Sequence, residues 1–167
     1  MFEIKKLTRE GVASALAKVE RYRLLNEPWD AESICRDVLA VDPENQQALV
    51  MLLLSLTDQF DADRGADLAA ARALLPRLSS EYERAYYGGI ICERWAKRLH
   101  RRDTPGSGPA VYDWLRQAME HFERAEKLRP AGDDKPLLRW NTCARLIMKH
   151  ERIRPAPAEE PAAVQGE

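Results

Sequence analysis

The sequence predicts an all-α fold, and three observations carry that expectation. No segment sustains the period-2 alternation of β-branched residues that marks a half-buried strand. Capping residues and prolines announce one helix start after another along the chain. Charged residues make up 32% of the sequence against only eight glycines, a balance suited to solvated helices rather than short paired strands.

Each element follows from a local signal. Thr8 is an N-cap for a first helix that runs to Leu25. Asn26 to Trp29 reads as a turn, with Pro28 at the first position of a second helix ending near Val41. Asp42 and Pro43 repeat the signal and open a third helix to about Gln59. After the polar stretch Asp61 to Gly65, a fourth helix spans Ala66 to Leu75 and stops at Pro76. Ser80 caps a long fifth helix to about Arg101. The loop Arg102 to Pro109 precedes a sixth helix, Ala110 to Leu128. A turn at Pro130 to Asp134 leads into a seventh, Lys135 to about Glu151. Short connections imply antiparallel neighbours.

Composition sets the outer bounds. A chain of 167 residues with 45% hydrophobic content is one domain or a short repeat array with a real core. The net charge of −1 selects no partner. Residues 1–80 carry −3 and residues 81–154 carry +5. The segment 155–167 alternates Pro, Ala and Glu without large apolar residues, so it reads as a disordered tail after a domain at 1–154. Cys35, Cys92 and Cys143 form no CxxC pair, which suits a reducing compartment. Lys5 and Lys6 have no apolar stretch behind them, and the longest apolar run, Ala48 to Leu56, is too short to span a membrane. The expected location is the cytoplasm.

Self-comparison gives a repeat. Ala31, Cys35, Val38 and Pro43 have the same spacing as Ala118, Phe122, Ala125 and Pro130. Small residues let two helices approach closely, the larger residue fills the gap between them, and proline begins the next turn. Tyr22 stands nine residues before Ala31. The pattern resembles the second helix of a tetratricopeptide repeat, with Cys35 in place of phenylalanine and Val38 in place of alanine. Ala66, Ala70 and Ala73 give a weaker middle copy, with proline displaced to Pro76. The two good copies are separated by about 19 residues more than two periods of about 34, an excess that fits the long fifth helix and the loop after it. The resemblance implies about three helix pairs stacked as a short right-handed solenoid, closed by a C-terminal capping helix.

The motifs that could carry chemistry fall short of it. Asp61, Asp63, Gly65 and Asp67 put glycine at the fifth place of a calcium loop and Arg72 at the twelfth, so they read as an acidic turn. Gly106-Ser107-Gly108 lacks the lysine of a phosphate loop. His100, His121 and His150 share no helical face with a ligand set. The expectation is a protein that is not an enzyme and needs no metal or cofactor.

Two features suggest binding. Arg94, Lys97, Arg98, Arg101 and Arg102 fall on one face of the fifth helix, opposite Ile91, Trp95 and Leu99. The third helix is apolar in nearly every direction through ALVMLLLSL. The resemblance implies that the first helix of each pair lines a concave groove, which would bring together Leu16 and Glu20, Val50 and Leu54, and Tyr86 and Ile90. Asn141 resembles the asparagine with which some tetratricopeptide domains hold a peptide backbone. The expected function is therefore a non-catalytic protein–protein interaction module. An apolar anchor would seat on Val50, Leu54, Tyr86 and Ile90, with acidic flanks steered by Arg94 and Arg98. The alternatives are a polyanion- or RNA-binding protein using the fifth-helix stripe, and a self-associating subunit such as a homodimer. An apolar groove filled by the chain itself is the other possibility for the third helix.

Overall fold

The structure is a computed structural model that describes residues 1–62 and 68–157. Among these residues it is all-helical: α1 (Val12–Leu24), α2 (Pro28–Val41), α3 (Gln46–Asp58), α4 (Leu68–Ala73), α5 (Glu81–Arg102), α6 (Gly108–Leu128) and α7 (Lys135–Lys149). Most of the acidic turn after α3 and the end of the Pro/Ala/Glu segment lie outside the described residues.

Capping chemistry sets the boundaries and explains where they depart from expectation. Thr8 Oγ1 accepts the Gly11 N–H at 3.2 Å. That bond closes a 3-10 turn at Arg9–Gly11, so α1 begins only at Val12. The α3 cap is Asn45 rather than Asp42. Asn45 Oδ1 accepts the Ala48 N–H, and Nδ2 donates to Asp42, both at 2.9 Å. Asp42 and Pro43 therefore belong to the turn that ends α2. Ser80 caps α5 as expected, accepting from Glu83 N–H. Asn26 and Asp103 end α1 and α5 in the left-handed region, at φ 59° and 42°, where short polar side chains are tolerated better than branched ones.

Consecutive helices pack on one another: α1 on α2, α2 on α3, α5 on α6 and α6 on α7. In addition α1 touches α3, and α3 touches α5. The repeated positions are the contact points. Ala31, Cys35, Val38, Ala118, Phe122 and Ala125 have no exposed surface. Complete burial of a side chain the size of Phe122 contributes roughly 1.5–3 kcal/mol. One large apolar cluster is built mainly on α2 and α3, another on α5, α6 and α7, and Leu54 and Tyr87 pack against both.

The apolar surround of α3 is explained by its central place. It packs against α1, α2, α4 and α5, so the chain itself covers it. Its polar side chains are satisfied internally: Ser55 Oγ donates to Met51 O at 2.7 Å and Thr57 Oγ1 to Leu54 O at 2.8 Å. Buried hydroxyls bonded in this way avoid the desolvation penalty of an unpaired polar group.

The C-terminal segment also docks. Ile153 is buried in the α5–α6–α7 cluster. Gly108 approaches the Arg152 carbonyl so closely that a Cβ there would stand 2.0 Å from its oxygen. The domain's packed part thus reaches past α7.

Candidate functional site

The odd-numbered helices share an ionic face. Arg23, in the last turn of α1, donates through Nε to Asp58 Oδ2 at 2.8 Å. Arg94, in the middle of α5, donates to the other oxygen of the same carboxylate. The same Nη1 reaches Thr57 Oγ1 at 2.6 Å and the Leu54 carbonyl at 3.3 Å. Asp58 ends α3, so a single carboxylate joins guanidiniums from the helices on either side. Next to Arg94 in the chain, Glu93 is wholly buried. Its Oε1 accepts from Lys97 and, at 3.4 Å, from Arg139 of α7.

Electrostatics on this face is set by burial and by those partners. Burial pushes the Arg94 pKa down, and Asp58 only partly offsets that. At Arg139 burial again opposes the charge, but Glu93 and the Tyr86 hydroxyl more than compensate and the pKa rises. Tyr87 is raised to about 12 by burial and then by Glu83, so its hydroxyl stays protonated. Beside Asp58 a cavity of about 270 Å³ is lined by Glu20, Arg23, Leu24, Asn26 and Met51. Four cations thus stand among three carboxylates, Glu20, Asp58 and Glu93, and charged groups in such a partly desolvated setting interact more strongly than in open water.

The site residues expected from sequence divide into three groups. Leu54, Arg94 and Glu20 lie on or beside this face. Leu16, Val50, Tyr86 and Ile90 are buried, with Val50 at 8% and Ile90 at 2% exposure. They support the helices from within, each packed in an apolar cluster between neighbouring helices. Asn141 stands two residues past Arg139, about 200° round the helix. It lines a recess between α6 and α7 with Glu123, Glu126, Leu137 and Trp140. Sequence reasoning missed Arg23, Asp58, Glu93 and Arg139, whose pairings span 35 to 46 residues.

The fifth-helix stripe is not a free cationic surface. Arg94 and Lys97 are held by Asp58 and Glu93, and Arg101 pairs with Asp61. Arg98 lies over the Trp95 ring, 4.5 Å from its centroid, which stabilises by a cation–π attraction. Trp95 is half-buried rather than enclosed, edge-on to Phe60 at 5.2 Å. Arg102 is exposed and has no ion pair among the described residues.

A larger cavity, about 1170 Å³, lies between the α5–α6 turn and the segment after α7. His100 and His150 meet there with ring centroids 4.5 Å apart. Burial and the neighbouring His150 lower the His100 pKa. The three cysteines are free and buried, and burial raises Cys35 and Cys143 to about 12 and Cys92 in the same direction. Among the described residues no group of three or more His, Cys, Asp or Glu is placed to hold a metal ion. Nor is any helix among them long and apolar enough to cross a membrane. No protein-family model matches the chain, and no curated protein or solved structure matches it either.

Proposed function

We propose that the chain is a non-catalytic interaction module of tetratricopeptide type that works in the cytoplasm and holds an acidic segment of a partner protein. The helices would stack as a short right-handed solenoid closed by α7, with α1, α3, α5 and α7 forming the binding side. The observation that carries this reading is the convergence of Arg23, Arg94, Lys97 and Arg139 around Asp58 and Glu93. Guanidiniums have five donors in a fixed fork and accept carboxylates in pairs, so arginines that share one carboxylate retain capacity for another. Leu24 and Met51 border the same cavity and supply apolar contact beside the charges. A charge-led mode is favoured over an anchor-led one, since Val50, Tyr86 and Ile90, three of the four residues expected to seat an anchor, lie inside the fold. Polyanion binding by the α5 stripe is the less favoured reading, since Arg101 is drawn to Asp61 and Arg98 to the Trp95 ring, away from the cations gathered around Asp58 and Glu93.

The test is fluorescence anisotropy with a library of acidic peptides and neutral peptides of equal length as controls. Acidic peptides should bind, with affinity falling as salt rises. Arg23→Ala and Arg139→Gln should each weaken binding roughly tenfold, about 1.4 kcal/mol. Equal binding of neutral and acidic peptides, or affinity unchanged in both variants, would overturn the reading.

A further inference from the structure

The described chain carries a free basic arm at one end and an acidic-walled apolar recess near the other. Residues 1–7 precede the first turn without regular structure. Phe2 and Ile4 are almost fully solvated, at 101% and 83% exposure, and alternate positions of an extended chain point the same way. Lys5 and Lys6 follow directly. Leu7 packs against the cluster of Ala15, Leu16, Val38 and Ala48, which fixes the root of the arm on α1, α2 and α3.

The recess lies on α6 and α7 and has a volume of about 330 Å³. Its floor is apolar, from Leu137 and Trp140, and its wall holds Glu123 and Glu126. Trp140 Nε1 donates to Glu123 Oε1 at 2.9 Å, which orients both the ring and the carboxylate. Asn141 completes the lining, and its amide has both a donor and an acceptor for the open backbone of an extended strand.

We propose that the arm of one copy docks in the α6–α7 recess of a second copy, with Phe2 or Ile4 on Leu137 and Trp140 and Lys5 and Lys6 against Glu123 and Glu126. Charge selects the occupant. The segment after Arg154 carries only Glu159, Glu160 and Glu167, which the acidic wall repels, whereas residues 1–7 set Lys5 and Lys6 against Glu3 alone. Reach selects the second copy over the arm's own recess. The arm's root packs on α1, α2 and α3 whereas the recess lies on α6 and α7, and α5 stands between the two groups, so the arm would have to cross it to reach its own recess. The contact is heterologous, so it gives a reciprocal pair if it closes and a run of copies if it does not. This surface is separate from the Arg23–Asp58–Arg94 face, and its failure would leave peptide binding there untouched.

Sedimentation velocity over a wide concentration range tests it. The full chain should associate with rising concentration. Phe2→Asp with Ile4→Asp, which alter only the solvated arm, should raise the dissociation constant at least tenfold, and so should Glu123→Lys with Glu126→Lys. Neither variant should associate alone, but an equimolar mixture should form one-to-one pairs, because one variant keeps the arm and the other the recess. A labelled peptide of residues 1–8 should bind the arm variant and not the recess variant. A full chain that stays monomeric to millimolar concentration would overturn the proposal, as would association that survives in both variants. A loss of thermal stability in the arm variant without any change of oligomeric state would assign the recess to the chain's own arm and overturn it equally.

Discussion

Gly89 makes room for Phe122. A Cβ on Gly89 would stand 2.4 Å from Cε1 of that ring and 2.7 Å from Cδ1, and Phe122 is wholly enclosed with nowhere to move. The neighbouring Gly88 faces His121, where a Cβ would meet the ring at 2.9 Å. The most extensive helix contact among the described residues, α5 on α6, is thus helped by two missing side chains.

Gly89→Ala should therefore destabilise the fold by about 1–3 kcal/mol through overpacking, although alanine favours an isolated helix by up to about 1 kcal/mol. Gly88→Ala should cost less, because the partly exposed His121 ring can shift. Thermal denaturation of both variants ranks them, and a Gly89→Ala protein as stable as the parent would contradict the close approach.

Ala31→Leu and Ala118→Leu should each lower stability by about 1–3 kcal/mol, since both alanines are enclosed at helix contacts. Val50→Asp should go further. It places an unpaired charge in the core on α3, and several kcal/mol is a large part of the stability of a small domain. Circular dichroism should show lost helicity. A folded Val50→Asp protein would return that position to the surface.

Asp58→Ala should leave Arg23 and Arg94 facing each other without their shared carboxylate. The side chains are about a fifth to a quarter exposed, so screening limits the loss to roughly 1–2 kcal/mol. The loss should shrink in high salt, where the two cations repel less. Urea denaturation at two ionic strengths measures both effects.

Stability should also fall as pH drops from neutrality through about 6.5 and below. His100 and His121 have depressed pKa values in the fold, each chiefly through burial. His150 and Arg101 act with burial on His100 while Asp103 opposes. Arg124 and Arg72 act on His121 while Glu120 opposes. The unfolded chain then binds more protons than the folded one in this range, so protonation favours unfolding. His121→Gln should flatten that part of the pH profile, as measured by melting temperature between pH 7 and 5.

Much of the fold was legible because its signals are local. A cap acts on an N–H three residues away, as Ser80 does on Glu83, and Pro28 needs only its own ring to start α2. The intervals at Ala31 and Ala118 named buried contacts for the same reason: helical spacing decides which residues share a side. The ionic face was illegible because no local period relates Asp58 to Arg94 or Glu93 to Arg139. The stripe on α5 was read as a set of free cations, yet Arg94 and Arg101 are partnered by α3 and the turn after it, Lys97 by Glu93 of α5 itself, and Arg98 stacks on Trp95, which the sequence put on the opposite side. Leu16, Val50, Tyr86 and Ile90 carried the right chemistry for either a core or a groove, and only the neighbouring helices decide between them. The close approach of Gly88 and Gly89 to α6 left no trace in α5 beyond two residues of low helix propensity.

The three enclosed thiols make the protein its own clock. A thiolate is the reactive form, and each sulfur is both covered and held protonated. An alkylating reagent in excess should therefore modify the native protein only as fast as the surrounding helices part. Cys35 sits in the cluster of α2 and α3, and Cys92 and Cys143 in that of α5, α6 and α7. Equal rates of labelling at Cys35 and Cys143 would mean that the two ends of the chain open as one body. A faster rate at either would mark the end that loosens first, without any engineered probe.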